Sequence, residues 1–325
     1  MTIIRERFGE MPDGRPVDAF QLTNVSGVTV RILELGGIIQ SVRTPDRDGY
    51  IGEIVLGYSD VAGYLNDNAY MGALIGRFAG RIDRGEIQID GVTYPLSVNS
   101  GQTTLHGGAI GFDRAIWRGS IDGERLTLSH TSPDGDQGFP GELTIDVTFE
   151  LGDDDELRLS YHATTTHPTV INFTSHAYWN LAGHGLVHDH KLVVEADEVL
   201  VTSSNLIPTG GFSRVAGTPF DLREPRRLGE AIDVGGGIDH TYVLTGNSAQ
   251  LEDPTTGRML QVWSDEPGLT VYTANAFADV HPRWSGVALE PEHFPDSPHH
   301  AHFPSTILRP GEEYRSTTTY RFSVS

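Results

Sequence analysis

The sequence predicts an all-β protein: a large antiparallel β-sandwich with long loops and few short helices. Apolar and polar residues alternate with a period of two in many short segments. Turn residues bound these segments, and the chain contains 38 glycines and 18 prolines. Helical periodicity is rare. Short alternating segments separated by glycine, proline, asparagine and aspartate are typical of antiparallel sheets.

Five segments alternate most clearly, and we predict a strand for each. In chain order they are residues 28–33, 86–90, 143–149, 156–163 and 315–322. The best helix candidate is a single turn at residues 59–64. No polar linker, low-complexity segment or internal repeat interrupts the chain, so we predict one domain that spans residues 1–325.

Composition excludes several classes of function. The chain has 325 residues, of which 44 are acidic and 23 basic, for a net charge of −21. Such a charge repels phosphate backbones and anionic membranes, so we expect no nucleic-acid or membrane partner. Cysteine is absent, which excludes disulfides, a thiol nucleophile and thiolate metal sites. No secretory signal or apolar run of about 18 residues is visible, so we expect a cytoplasmic protein.

Residues 169–180 form the most informative segment. If they run as one strand, Asn172, Thr174, His176 and Tyr178 share one face by the period of two. That face can line a cleft, although a solvent-exposed polar face is the alternative. The opposite face is apolar and includes Ile171, Phe173, Ala177 and Trp179.

Residues 287–289 look like a buried strand that delivers Glu290 at its end, with Pro291 holding that end extended. A carboxylate that closes an apolar strand loses hydration unless it has partners, so Glu290 is a candidate functional group. The alternative is a glutamate that emerges into solvent.

Three further segments carry polar groups beside glycines or apolar residues. In the first, His106 is followed by two glycines, which let the backbone approach a ligand closely. In the second, a run of three glycines leads to Asp239, although this segment can equally be a plain hairpin. In the third, Arg77 and Arg81 lie four residues apart in an acidic chain and require partners, for which an ordinary salt bridge would suffice.

Histidine is abundant, with 14 residues. Four of them lie close together near the carboxyl end and raise the possibility of a metal site: His293, His299, His300 and His302. Spacing alone is weak evidence, because ligating histidines also need acceptors behind them. We therefore expect no metal at this cluster.

Taken together, these segments resemble the aldose 1-epimerase (galactose mutarotase) family, in the family's order and along nearly the whole chain. The matching stretches are GRFAGRI (76–82), LHGGAIGFDRAIW (105–117), NFTSHAYWNLAG (172–183), TPFDLR (218–223), GIDH (237–240), LEPEHFPDSPHHAHFP (289–304) and LRPGEEY (308–314). The resemblance implies a twisted antiparallel β-sandwich that interconverts the α and β anomers of a free aldose without a cofactor.

The resemblance also implies roles for individual residues. His176 matches the general acid and Glu290 the general base. His106, Arg81 and Asp239 match residues that position the substrate, with His106 near the ring oxygen or the developing aldehyde. Tyr178, Asn275 and Glu292 are further candidates for sugar contacts: Tyr178 could offer a platform to an apolar sugar face, and the other two could replace lost contacts.

This chain departs from the family pattern at four positions. The residues are Gly80 in place of asparagine, Thr270 and Glu292 each in place of glutamine, and His299 in place of asparagine. The proton-transfer pair is intact while the expected hydroxyl-binding residues differ, so we predict no strong preference for D-galactose.

Two alternatives stay open. An epimerase for a phosphorylated hexose would need several basic residues that converge on the phosphate, and basic residues are scarce. A carbohydrate-binding sandwich without turnover would not need both His176 and Glu290. We expect a monosaccharide substrate and a monomer or homodimer.

Overall fold

The computed structural model describes residues 1–278 and 280–325, and strands dominate it. The first half of the chain contains β1 (Thr2–Glu10), β2 (Pro16–Thr23), β3 (Thr29–Leu33), β4 (Ile39–Pro45), β5 (Ile51–Glu53), β6 (Leu74–Ile75), β7 (Arg81–Ile82), β8 (Glu86–Ile89), β9 (Val92–Pro95), β10 (Thr104–Leu105), β11 (Arg118–Asp122), β12 (Arg125–Ser132), β13 (Leu143–Leu151) and β14 (Glu156–Thr165).

The second half adds shorter strands and the longest ones. These are β15 (Thr169–Val170), β16 (Thr174–Ser175), β17 (Tyr178–Trp179), β18 (Lys191–Thr202), β19 (Pro208–Arg214), β20 (Arg226–Arg227), β21 (Asp239–Glu252), β22 (Arg258–Ser264), β23 (Gly268–Tyr272), β24 (Val287–Glu292), β25 (Ile307–Leu308) and β26 (Tyr314–Val324). The described helices are α1 (Val61–Asn66) and α2 (Leu228–Gly235), besides short 3₁₀ turns.

Two large antiparallel sheets form the body of the protein. Strands β1 to β5 make a five-stranded meander in chain order. The larger sheet has 13 strands, with the path β11-β12-β13-β14-β26-β22-β21-β23-β24-β17. In addition, β18 pairs with β21, and β19 and β20 pair with β18. One apolar core cluster combines Phe20 and Ile32 of the small sheet with Val147, Leu159 and Tyr320 of the large one. The predicted all-β sandwich is therefore confirmed.

The alternating segments fold as their periodicity predicts. In β13 the apolar residues are buried at every second position, from Leu143 to Leu151. Each fully buried aliphatic or aromatic side chain contributes about 1.5–3 kcal/mol to folding. The predicted helix at 59–64 appears as α1, where the side chain of Asp60 accepts a hydrogen bond from the N–H of Gly63 at 2.8 Å. Helix α2 was not predicted; it ends at Gly236, whose φ of 75° suits glycine.

The prediction of one continuous strand over residues 169–180 is wrong. The segment is broken into β15, β16 and β17, which pair with β25, β6 and β24 respectively. His176 lies between two of these short strands, and its N–H donates to the carbonyl of Ala73. The solvent-exposed alternative is also wrong, because Asn172, Thr174, His176 and Tyr178 are all buried.

The predicted position of Glu290 at a strand end needs correction. Strand β24 continues through Pro291 to Glu292, and all six of its residues are buried. Pro291 is tolerated because an extended conformation suits its fixed φ. Two carboxylates two residues apart, Glu290 and Glu292, therefore share one face of a buried strand. Within residues 1–278 and 280–325, no helix is long and apolar enough to cross a membrane.

Candidate active site

A cavity of about 930 Å³ opens beside β24. All eight residues that the sequence nominated lie in its lining: Arg81, His106, His176, Tyr178, Asp239, Asn275, Glu290 and Glu292. They come from six separate stretches of the chain, so the fold alone brings them together. Two groups of lining residues differ in how they are held. We call them the sheet floor (Asp239, Thr241, Thr270, Glu290 and Glu292) and the loop wall (Tyr70, Gly80, Arg81 and His106).

Strand register builds the sheet floor. Thr241 of β21 pairs with Thr270 of β23, which pairs with Glu290 of β24. One step along the strands, Asp239 pairs with Tyr272. Adjacent strands lie about 4.8 Å apart, and alternate residues of one strand share a face. These polar side chains therefore stand in rows on one face of the large sheet.

His176 and Glu290 form the centre of the cavity. His176 Nε2 lies 3.6 Å from Glu290 Oε2, and the two residues are 4% and 2% exposed. Tyr178 pairs with Ala288 in the antiparallel register, which places His176 beside Glu290. No described residue donates a hydrogen bond to the Glu290 carboxylate, so its oxygens are available to a ligand.

Burial controls the protonation of this pair. It raises the pKa of the Glu290 carboxyl well above its usual range, and the neighbouring carboxylates of Glu292 and Asp239 raise it further. Burial lowers the pKa of His176 to about 4. In the free site the one proton of the pair thus favours Glu290. Attraction between a cationic His176 and an anionic Glu290 would act in the opposite direction, but the loss of hydration outweighs it.

The loop wall presents His106 as a neutral donor. His106 has a φ of 51°, and its Nδ1 accepts a hydrogen bond from the N–H of Gly80 at 3.2 Å. Burial, with the nearby charges of His176 and Arg81, lowers the pKa of His106 well below its usual range. A neutral imidazole whose Nδ1 is an acceptor carries its proton on Nε2. His106 can therefore donate to an oxygen in the cavity.

The two arginines four residues apart have different roles. Arg77 is 2% exposed and structural; its guanidinium donates to the backbone carbonyls of Ser132, Pro133, Pro140 and Gly141. Arg81 lines the cavity, and its guanidinium has no hydrogen bond or ion pair with any described residue. Asp239 likewise lacks a side-chain hydrogen bond to the described residues, and burial raises its pKa. Both charged groups are thus available to a polar ligand.

Tyr178 and Asn275 are more constrained by the protein. The hydroxyl of Tyr178 donates to the carbonyl of Ala69 at 3.1 Å, and its ring packs 4.8 Å from that of Phe277. The Asn275 amide donates to the carbonyl of Ile238 and accepts from the hydroxyl of Thr273. Tyr178 and Asn275 therefore have fewer polar atoms free to contact a ligand than Arg81 or Asp239.

The carboxylate of Glu292 accepts hydrogen bonds from the protein, whereas that of Glu290 has no donor among the described residues. Glu292 Oε1 accepts from the hydroxyl of Thr270 at 2.6 Å, and Oε2 accepts from the amide of Asn172 at 3.1 Å. Burial raises the pKa of Glu292 to about 8, although the hydrogen bonds from Thr270 and Asn172 act in the opposite direction. The Thr270 hydroxyl also lies 2.7 Å from that of Thr241.

The histidine cluster is used within the protein. Each of its members contacts a protein acceptor: His293 contacts Glu266 (2.5 Å), His299 contacts Asp296 (2.7 Å), His300 the carbonyl of Pro208 (3.1 Å) and His302 the carbonyl of Gly210 (2.8 Å). No set of three or more histidine, aspartate or glutamate side chains in the described part of the chain is arranged to hold a metal ion. His299 is absent from the cavity lining, so its departure from the family pattern does not touch the ligand directly.

Sequence reasoning missed several lining residues, and three of them are informative. Tyr70 packs its ring 4.6 Å from that of His106, but no spacing in the sequence marked it. Tyr272 lines the cavity next to Thr270 in β23. Thr241 follows Asp239 by two residues, so the period of two could have placed it on the same face. Gly80 has a φ of 75°, and a Cβ there would lie 2.6 Å from Pro295, which leaves no room for a side chain.

Comparisons with known proteins agree with this geometry. The family model described as aldose 1-epimerase matches residues 18–321. Galactose mutarotase from Homo sapiens is 39% identical, over 100% of this chain and 99% of its own. Aldose 1-epimerase from Escherichia coli (strain K12) is 36% identical over 96% of each chain. Among solved structures, galactose 1-epimerase from Lactobacillus acidophilus NCFM superposes with a TM-score of 0.90 and 27% identity, covering 100% of this chain and 99% of that chain.

Proposed function

The chain belongs to the aldose 1-epimerase family, and on this premise we propose that His176 and Glu290 are its general acid and general base. The protein is an isomerase that interconverts the α and β anomers of an aldose. The observation that carries the assignment of the pair is their contact at 3.6 Å on the cavity floor, where no described residue donates a hydrogen bond to Glu290.

Anomer exchange requires two coordinated proton transfers. With His176 cationic and Glu290 anionic, Glu290 takes the proton of the anomeric hydroxyl while the C1–O5 bond breaks and O5 takes the proton of His176. The product is an open-chain aldehyde beside neutral His176 and protonated Glu290. After rotation about the C1–C2 bond, O5 attacks the other face of C1. His176 then recovers its proton from O5, and Glu290 returns one to O1.

The buried setting suits this cycle because the pair keeps one proton throughout. The form that burial favours, neutral His176 with protonated Glu290, is the form that accompanies the open-chain aldehyde. The form that opens a ring differs only by transfer of that proton between two groups 3.6 Å apart. No net charge has to enter or leave the cavity during turnover.

The surrounding groups supply complementary contacts for a sugar. His106 donates from Nε2 to the ring-oxygen region or the developing aldehyde, and Arg81 donates to hydroxyls. Asp239 accepts from hydroxyls, and its carboxylate has no competing donor among the described residues. Tyr178, Asn275 and Glu292 complete the lining as secondary contacts. This chemistry needs no cofactor or metal.

The phosphorylated-hexose alternative is less well supported by charge. The described lining contains two arginines, Arg81 and Arg283, and four carboxylates, Asp67, Asp239, Glu290 and Glu292. A phosphate dianion in that setting would meet more repulsion than attraction. A carbohydrate-binding protein without turnover would not require a carboxylate such as Glu290, which has no donor among the described residues, beside the buried imidazole of His176.

The remaining properties are part of the same proposal. The net charge of −21 argues against a nucleic-acid partner. We place the protein in the cytoplasm as one domain over residues 1–325, acting as a monomer or homodimer. Size-exclusion chromatography with light scattering tests the assembly state.

The experiment that tests the function is anomer exchange followed by saturation-transfer NMR, with the spontaneous rate subtracted. Free D-glucose and D-galactose should exchange much faster with the enzyme, while glucose 6-phosphate should respond far less. Faster exchange for the phosphorylated sugar than for either free sugar would favour the first alternative. Binding without any acceleration would favour the non-catalytic one.

A further inference from the structure

We propose that Thr241 is a specificity-determining residue, whose hydroxyl is oriented through Thr270 by Glu292 and hydrogen-bonds a ring hydroxyl on the far side of the sugar from C1. This inference rests on the proposed function, because it places the anomeric carbon at His176 and Glu290. It concerns which aldoses are used and adds no step to the reaction.

The geometry consists of three side chains joined by two short contacts. Thr241 Oγ1 lies 2.7 Å from Thr270 Oγ1, which in turn donates to Glu292 Oε1 at 2.6 Å. Asn172 holds the other oxygen of Glu292 at 3.1 Å. Thr241 is 7% exposed and belongs to the cavity lining, so its hydroxyl lies at the surface that a ligand would meet.

The hydrogen-bonding capacity of these groups is only partly used. A threonine hydroxyl has one proton and two lone pairs. Thr270 uses its one proton to donate to Glu292 Oε1, so it accepts from Thr241, which donates to it. The Thr241 oxygen is then left with free lone pairs and accepts from a sugar hydroxyl. No other described residue hydrogen-bonds to the Thr241 hydroxyl.

The register indicates which sugar hydroxyl is contacted. Thr241 lies two strands from Glu290, so their backbones are about 10 Å apart at the usual strand spacing. Glu290 takes the proton of the anomeric hydroxyl at one edge of the ring. A side chain that reaches in from two strands away meets the opposite edge, where the C3 and C4 hydroxyls lie. The C2 hydroxyl, next to C1, is outside its reach.

The test is a double-mutant cycle in which the Thr241 hydroxyl and each sugar hydroxyl are removed separately and together. Thr241→Val removes the hydroxyl but keeps the β-branched shape that suits a strand. The catalytic efficiency kcat/KM is measured by NMR for D-glucose and its 2-, 3-, 4- and 6-deoxy analogues. Thr148→Val is the matched control, because Thr148 makes the same kind of cross-strand contact with Thr127 at 3.0 Å on β12 and β13, outside the cavity lining.

We expect the wild type to lose about threefold to tenfold in kcat/KM when the contacted hydroxyl, at C3 or C4, is absent, the usual effect of one neutral hydrogen bond. With D-glucose, Thr241→Val should have a kcat/KM that is lower than that of the wild type by the same factor. Removal of the contacted sugar hydroxyl should lower the kcat/KM of this variant no further. Thr241→Ser, which restores a hydroxyl, should recover the dependence. Thr148→Val should behave like the wild type with every sugar.

Glu292→Gln sharpens the test because the amide can donate to Thr270 and reverse the hydroxyl chain. The dependence on the C3 or C4 hydroxyl should then change while that on the C2 hydroxyl does not. An equal loss with all analogues in Thr241→Val, or no loss beyond that of Thr148→Val, would overturn the inference. Either result leaves wild-type anomer exchange intact, so the proposed function would stand.

Discussion

The sheet floor and the loop wall face each other across one cavity but are positioned in different ways. On the floor, Thr270 and Glu290 are opposite partners in a regular antiparallel ladder. On the wall, Tyr70, Gly80 and His106 all adopt positive φ angles, of 56°, 75° and 51°. Regular register places floor side chains without backbone strain, whereas the wall depends on conformations that L-residues rarely adopt.

This difference predicts two kinds of mutational effect. A side chain of the floor can change while the ladder under it persists, so substitutions there should alter chemistry or specificity and preserve the fold. In the wall the backbone itself is in close contact with its surroundings. A single added methyl group should therefore displace functional groups and lower stability together.

The largest effect is expected at the catalytic pair, of which Glu290 belongs to the sheet floor. Glu290→Gln and His176→Asn should each slow anomer exchange by at least about a hundredfold, since each removes a general acid or base. Sugar binding should weaken much less, because the amides retain hydrogen-bonding capacity. Rates come from polarimetry and affinities from calorimetry. Retention of more than about half of the parental rate by either variant would refute the assignment.

A methyl group next to His106 of the loop wall gives the next effect. A Cβ at Gly107, where φ is 90°, would lie 2.0 Å from the carbonyl oxygen of Gly76. Gly107→Ala should lower the free energy of unfolding in urea by at least about 2 kcal/mol and reduce activity, because the adjacent His106 must move. The control is Gly101→Ala, at a φ of 62°, where a Cβ would have no described atom within 4 Å, and it should cost only about 1 kcal/mol. Equal losses in the two variants would contradict this contrast.

The pH dependence of kcat/KM tests whether burial or charge attraction dominates the pKa values of His176 and Glu290. The active form of the His176–Glu290 pair carries one proton, and activity is lost when acid adds a second proton. Because the pKa of His176 is lowered from 6.5 to about 4, the acidic limb of kcat/KM should lie well below pH 6.5. The raised pKa of Glu290 moves loss of the last proton, and hence the alkaline limb, to higher pH. An acidic limb at or above 6.5, with circular dichroism unchanged, would contradict burial as the cause.

Changes in the hydroxyl-binding residues should affect specificity moderately. Thr270 is shorter than glutamine and its hydroxyl is engaged by Glu292, while Gly80 offers no side chain. Selectivity depends on buried polar partners, so D-galactose should not be strongly preferred. D-glucose, D-xylose and L-arabinose should be used with comparable or better kcat/KM under one set of conditions. A preference for galactose of about a hundredfold over every other aldose would show that these departures do not affect specificity.

No effect is expected from metal removal. Proton transfer by His176 and Glu290 accounts for the reaction, and the histidines near the carboxyl end contact protein acceptors. Prolonged treatment with a strong chelator should leave the rate of anomer exchange unchanged. Loss of activity that one divalent ion restores would instead assign a metal to the site.

The sequence by itself was enough to predict the sandwich, the five strands that alternate most clearly and the eight candidate residues of the site. Alternation is a local property, so β13, β14 and β26 follow from neighbours along the chain. The motifs likewise identified His176, Glu290, Arg81, His106 and Asp239, and all five line one cavity. Apart from the family motif, Arg77 and Arg81 looked equivalent, because nothing local distinguishes a guanidinium that binds backbone carbonyls from one that faces a cavity.

Only the tertiary structure decided how residues 169–180 divide among three partners and how the catalytic pair is protonated. A strand ends where its pairing partner ends, and those partners, β6, β24 and β25, lie far away in the sequence. The pKa values of His176 and Glu290 depend on hydration, which the whole surrounding fold removes. Pairing and desolvation are long-range effects, and for that reason no local pattern could have specified them.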